Sequence, residues 1–326
     1  MTLLMERDQQ NKQRFHQTLF TLAMADLVVK NITDSTALFV KPAWMDTMMI
    51  LVFLVLIGIK LFTQKYTYIQ LAGYFVLWIV VIYTCKTCYY YFLLFTALTV
   101  CAMQDIRLAR TLLVTSQVRA GLMLIHVLVY VKDLIVQPWV VPYVYRNGIK
   151  RMTFYQGHPN TFSMYVCWAI LEYIYARYEK MNGWRLALLW LINFAVYLCC
   201  NSNSSLIVMT LVCGMVFIEK SSHGLIKKIF DVVTGVLARY LYTFLFVFIV
   251  TIIVGYADGK FTSVFEPLNK MFTGRLLFGA VAYDEKGFSL IGKLVEFPEK
   301  QYWNGHWIDG MIFDNSYIWL FVSYGV

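Results

Sequence analysis

The strongest constraint on this chain is the bunching of its apolar residues. They recur in nine blocks near the length of a membrane-crossing helix, at 18–29, 47–62, 69–83, 89–102, 118–131, 161–175, 186–200, 206–218 and 236–254. Another block opens around Ile318 and is still apolar at Val326. A soluble domain interleaves polar residues at every turn, whereas a crossing helix needs about 20 mostly apolar ones. The blocks leave 60% hydrophobic residues against 14% charged, where soluble domains carry about a quarter charged. A cytosolic enzyme and a disordered tail are excluded. The expected fold is all-α: a polytopic integral membrane protein with about ten transmembrane helices, the last incomplete, residues 1–326 forming a single transmembrane domain. The block at 18–29 is short and contains Asp26, and the shorter blocks must draw on flanking aromatics and snorkelling Lys. The pair Cys85 and Cys88 has no second pair at zinc-finger spacing, so the cysteines read as small helix-packing residues.

A net charge of +9 raises the question of nucleic acid, but Lys and Arg are scattered over many short loops instead of forming one patch. The positive-inside rule accounts for them better. With the N-terminus cytoplasmic and the spans alternating, the inner side collects Arg7, Lys12, Arg14, Lys60, Lys65, Arg107, Arg110, Arg119 and every Lys and Arg from Arg177 to Arg239. The short outer loops receive only Lys30, Lys41 and Lys86. Two long outer loops escape the bias, at 132–160 and 256–315. A loop of the second one's length is either disordered or functional, and its aromatic content is that of a segment that can pack and bind.

No inner loop has G-x-x-x-x-G-K-[ST], G-x-G-x-x-G or H-E-x-x-H, so ATP and sugar nucleotides lack a cradle, and neither cofactor nor metal is expected. The unusual residues lie in the outer loops. In the first, Arg146, Lys150 and Arg151 suit a phosphate or diphosphate, or else form a basic turn on lipid headgroups. Gly157-His158-Pro159-Asn160 follows at the mouth of a span. Asn160 is a candidate ligand or the helix N-cap, and His158 a donor to a bound anion or an interfacial side chain. The second loop carries Thr273-Gly274-Arg275, then Trp303, His306-Trp307-Ile308-Asp309 and Asp314-Asn315-Ser316-Tyr317. Asp314, beside an amide and a phenol, is suited to take a proton from a sugar hydroxyl, or is simply a first-turn acid. Trp303 and Trp307 either stack on sugar rings or anchor the interface. The run 201–205 reads as a polar turn, lining the same cavity or closing a hairpin. Arg119 reads as a snorkelling side chain, and the sparseness of ionisable residues at mid-membrane depth counts against a transporter.

In order and position these strings resemble the Wzy-type polysaccharide polymerases and the related O-antigen ligases of bacteria. Arg146 and Gly157 are separated by ten residues, as in the family's first outer loop, and Pro159-Asn160 is similar to its entry into the following helix. Thr273-Gly274-Arg275 resembles the motif opening the second loop, and Asp314-Asn315-x-Tyr317 the one closing it. The family's second Arg and Gly pair is missing: eleven residues after Arg275 stands Lys286. The resemblance implies polymerisation of undecaprenyl-diphosphate-linked oligosaccharides at the outer face of the bacterial cytoplasmic membrane. Arg146, Arg151 and Arg275 would hold the departing diphosphate, and Asp314, or else His306 or Asp309, would act as base. Lys150, His158, Asn160, Trp303, Trp307, Asn315 and Tyr317 would bind substrate. Flippase and chain-length-regulator proteins are the implied partners, with membrane lipid around the chain and no nucleic acid. An O-antigen ligase and a flippase or transporter for lipid-linked saccharides are the alternatives. Related chains usually continue past the point where this one stops, so a missing C-terminal segment is expected.

Overall fold

The computed structural model describes residues 2–88, 91–146, 148–260, 262–271, 275–287, 300–303 and 306–309. Eleven helices are described: α1 Thr2–Ser35, α2 Ala43–Thr63, α3 Tyr68–Cys88, α4 Phe92–Cys101, α5 Leu108–Val136, α6 Pro159–Ala176, α7 Gly183–Cys200, α8 Asn203–Ser221, α9 Gly224–Ala257, α10 Thr262–Met271 and α11 Arg275–Lys286. Two short antiparallel hairpins join them, β1 Tyr143–Arg146 with β2 Ile149–Met152, and β3 Lys300–Trp303 with β4 His306–Asp309. Each of the nine apolar blocks falls on one of the first nine helices. Six of these, α2, α3, α5, α7, α8 and α9, are long and apolar enough to cross a membrane. The chain is therefore a helical, membrane-embedded protein. Helix α4 has ten residues, about 15 Å at 1.5 Å per residue, which is half a hydrocarbon core. The block opening at Ile318 lies outside the described residues.

The chain divides into two compact units, Met1–Lys65 with Ala102–Phe230, and Tyr66–Cys101 with Asp231–Val326. In the first unit, α1 and α2 run antiparallel: His16 Nε2 and Thr63 Oγ1 are 3.0 Å apart, and Lys30 Nζ lies 3.3 Å from Asp46. Helix α5 lies parallel to α1, since Gln17 donates to Thr111 and Thr36 meets His126. Helix α6 is tied to α8 by Ser163 with Ser205, and the short 3-10 turn after α6, Tyr178–Lys180, by Tyr178 with Glu219. One end of the unit thus gathers the α1–α2 turn, the β1–β2 hairpin, the start of α6 and the α7–α8 turn. The apolar layer beneath that end contains Val28, Ile32, Met123, Tyr130, Phe154 and Phe162.

Arg119 departs from its expected role. Its guanidinium donates to Glu172 at 3.0 Å, and the two side chains are only 11% and 12% exposed, so it pairs across α5 and α6 instead of snorkelling. Residues 201–205 close a hairpin: Asn201 takes the left-handed conformation (φ 48°) that ends α7, and α8 starts at Asn203.

In the second unit, Val81 and Cys85 of α3 pack on Ala97 of α4. The seven cysteines are free, and all but Cys199 are buried. The end of α9 packs with α10 and α11 through Ile252, Ile253, Tyr256, Phe265, Leu276 and Val281. The second long loop is therefore built partly of helix.

Candidate functional site

The β1–β2 hairpin closes between Arg146 and Ile149, and Gly148 sits there at φ 77°, where a side chain would be strained. Its register pairs Val144 with Arg151 and Arg146 with Ile149, and cross-strand partners share a face. Arg146 and Arg151 therefore lie on one side of the hairpin. Tyr145 and its partner Lys150 lie on the other, and the Lys150 ammonium stands 4.1 Å from the centre of the Tyr143 ring.

Arg151 is 2% exposed. Its Nε donates to the Cys200 carbonyl at 2.7 Å and an Nη to Asn160 Oδ1 at 2.5 Å. It thereby bridges the C-terminal end of α7, where a cation is favoured by the helix dipole, and the first turn of α6. Burial, and next the charge of Arg146, push the Arg151 pKa down. Its guanidinium still remains charged at neutral pH. Among the described residues neither Arg146 nor Arg151 has a carboxylate partner. Two like charges held close without a counter-ion form a site that gains by taking up an anion.

The N-cap of α6 is His158, with Pro159 at the first helical position, and the Asn160 amide donates to His158 Nδ1 at 3.2 Å. Asn160 is thus not the cap: one residue inside the helix, it is free to accept from Arg151. His158 is exposed beside it.

Residues 153–156, between the hairpin and Gly157, carry no motif in the sequence, yet they are tightly constrained. Phe154 and Tyr155 both have positive φ, 49° and 59°, which costs an ordinary residue about 1–2 kcal/mol. Surrounding bonds hold them there. Ala37 N donates to the Tyr155 carbonyl at 2.6 Å, Gly157 N to Ser35 at 2.9 Å, and the Tyr155 hydroxyl to Asp133 at 2.7 Å. Burial, then the hydrogen bond to Asp133, push the Tyr155 pKa up to about 12. Gln156, with no exposed surface, contacts His126 Nε2 at 2.6 Å through its amide nitrogen and accepts from Ser35 at 2.6 Å. Such over-determined strain is typical of sites whose geometry matters. Its sequence signal was faint: one polar Gln between aromatics, with partners 30 and 121 residues away.

Arg275 is the first residue of α11, Trp303 the last of β3, and His306, Trp307 and Asp309 belong to β4, where Trp303 pairs with His306 and Tyr302 with Trp307. Thr273, Gly274, Asp314, Asn315 and Tyr317 lie outside the described residues. Of the expected site, the structure brings together Arg146, Arg151, His158 and Asn160, and separately sets Trp303 beside His306.

No family model, no curated protein and no solved structure matches the chain.

Proposed function

We propose that the chain is a metal-independent membrane glycosyltransferase that joins undecaprenyl-diphosphate-linked oligosaccharide repeat units into surface polysaccharide. In this reading about ten helices cross the bacterial cytoplasmic membrane, the N-terminus is cytoplasmic, and the hairpin end of the first unit faces outward. The observation that carries it is the pair Arg146 and Arg151, one exposed and one buried, lacking a carboxylate among the described residues. A diphosphate relieves their repulsion by charge-assisted hydrogen bonds, and the N-terminal end of α6 beside them adds partial positive charge.

The acceptor hydroxyl oxygen attacks the anomeric carbon of the donor sugar, and its proton passes to Asp314, with His306 and Asp309 as alternative bases. The bond from that carbon to the diphosphate oxygen breaks, and the leaving group keeps the electron pair. Arg146 neutralises it directly, while Arg151 holds Asn160 and the hairpin in register, and Arg275 is the second unit's candidate for the same task. His158, Asn315 and Tyr317 supply further polar contacts, and Trp303 and Trp307 stack on sugar rings. Flippase and chain-length-regulator proteins are the partners this chemistry calls for.

The test is to give the purified protein a lipid-linked repeat unit and resolve the products on a gel. A ladder is expected from wild type, and none from Arg146→Ala, Arg275→Ala or Asp314→Asn, each still inserted in the membrane. Ladders from all three variants would remove the site assignment. Transfer of finished glycan to another lipid would indicate a ligase. Flux in proteoliposomes without a new glycosidic bond would favour a flippase.

A further inference from the structure

We propose that the side of the β1–β2 hairpin facing away from Arg151, together with the turn before it, is a docking surface for the headgroups of anionic phospholipid. This surface exposes Tyr143 and Tyr145 by 45% and 62%, with their rings edge to face 5.4 Å apart and the Lys150 ammonium above Tyr143. Trp139, in the turn before the hairpin, is 79% exposed, and Ile135 at the end of α5 is 77% exposed. Aromatic bodies with polar tips, next to aliphatic side chains and a long-stemmed cation, make up the composition that settles at headgroup depth. A water-facing hairpin would leave these rings in contact with solvent.

Charge selects the class of lipid. Lys150 and the exposed Lys132 supply the charge of this surface, and the single acid of residues 132–151 is Asp133. That acid already accepts from Tyr155 and lies 3.7 Å from Lys132. The segment is thus cationic where it meets the leaflet, which favours an acidic headgroup over a zwitterionic one. The inference goes beyond the catalytic reading and does not depend on it, because it uses the opposite side of the hairpin.

Native mass spectrometry of the delipidated full chain tests it, with phosphatidylglycerol, phosphatidylcholine and inorganic pyrophosphate as separate probes. A cation near an acidic membrane surface contributes about 1 kcal/mol, equivalent to roughly fivefold in affinity. The expected result is tighter binding of phosphatidylglycerol than of phosphatidylcholine, a loss of about fivefold in Lys150→Gln, and retention in Lys150→Arg, which reports an intact fold. A Trp139→Ala, Tyr145→Ser double variant should also lose the preference. Equal binding of the two lipids would overturn the proposal, as would an unchanged Lys150→Gln. Displacement of phosphatidylglycerol by pyrophosphate would overturn it too, by showing a phosphate site instead of a leaflet contact.

Discussion

The two long loops are held in different ways. Residues 132–160 are fastened by buried polar bonds that reach far along the chain, to Ser35, Ala37, His126 and Cys200. The helices described within 256–315 are joined mainly by apolar packing among near neighbours. Tyr256 stacks on Phe265 with ring centres 3.3 Å apart, Tyr256 donates to Glu266, and Leu277 N donates to Asn269. Hydrogen bonds are directional and fix a side chain to fractions of an ångström, whereas apolar contact is proportional to area and tolerates sliding. The first loop is built to hold guanidinium groups in a set geometry. The described helices of the second hold together by covering apolar surface.

The sharpest way to test that contrast is to remove the centre of the apolar cluster. Phe265 is fully buried, and its replacement by Ala should cost about 3–5 kcal/mol locally. Hydrogen exchange should show α10 and α11 losing protection while β1 and β2 keep theirs. Equal loss in both regions would break the comparison. A somewhat smaller effect is expected from Arg151→Ala, at about 1–3 kcal/mol, because it leaves the buried Cys200 carbonyl without its donor while half-buried Asn160 can turn to solvent. Exchange should rise across Tyr143–Met152 and the melting temperature should fall. Arg151→Lys should not restore either, because one ammonium lacks the planar fork that reaches two acceptors at once. Full rescue by Lys would mean that charge alone holds the hairpin.

Smaller again is Gln156→Leu, which keeps the volume but leaves His126 and Ser35 each short of a partner, at about 1–2 kcal/mol. Faster exchange should be confined to the turn at 153–157. An unaltered pattern there would show that water takes over the role of the amide.

This ordering also explains which features were legible in the sequence. Helices showed because a crossing segment must be apolar along its whole length, and each block lies on a helix. Their ends did not show: α1 has 34 residues where the apolar block has only its middle, because a helix continues into water once its polar ends are solvated. The cations of the hairpin showed as a cluster, but not their division. Arg146 and Arg151 share one side of the hairpin, and which of them is buried depends on Cys200, 49 residues from Arg151 and within reach of it alone. His158 as cap, in place of Asn160, turns on which side chain meets the first free amide. The pairing of Arg119 with Glu172 joins residues 53 apart, and no local pattern announces it. Strain at Phe154 and Tyr155 was invisible because ordinary residues in left-handed conformation exist only by tertiary compulsion.

The smallest expected effect separates the polar fastening from its apolar surroundings by pH. Burial, then the hydrogen bond to Asp133, push the Tyr155 pKa up to about 12 from an ordinary 10.0, so between those values the unfolded chain gives up the proton first. Stability from this group is complete below pH 10 and declines as pH rises toward 12, since the folded state must then hold a proton that the unfolded state has released. Tyr155→Phe removes the titrating hydroxyl while keeping the ring against Tyr130. At neutral pH it should cost about 1 kcal/mol, because Asp133 is partly exposed and keeps Lys132 and solvent nearby. Melting temperatures measured from pH 9 to 12 should fall more steeply in wild type than in the variant, over and above the slope both share from their lysines. Parallel curves would mean that the hydroxyl titrates alike in both states, and the bond to Asp133 would then be no part of what pins the hairpin to α5.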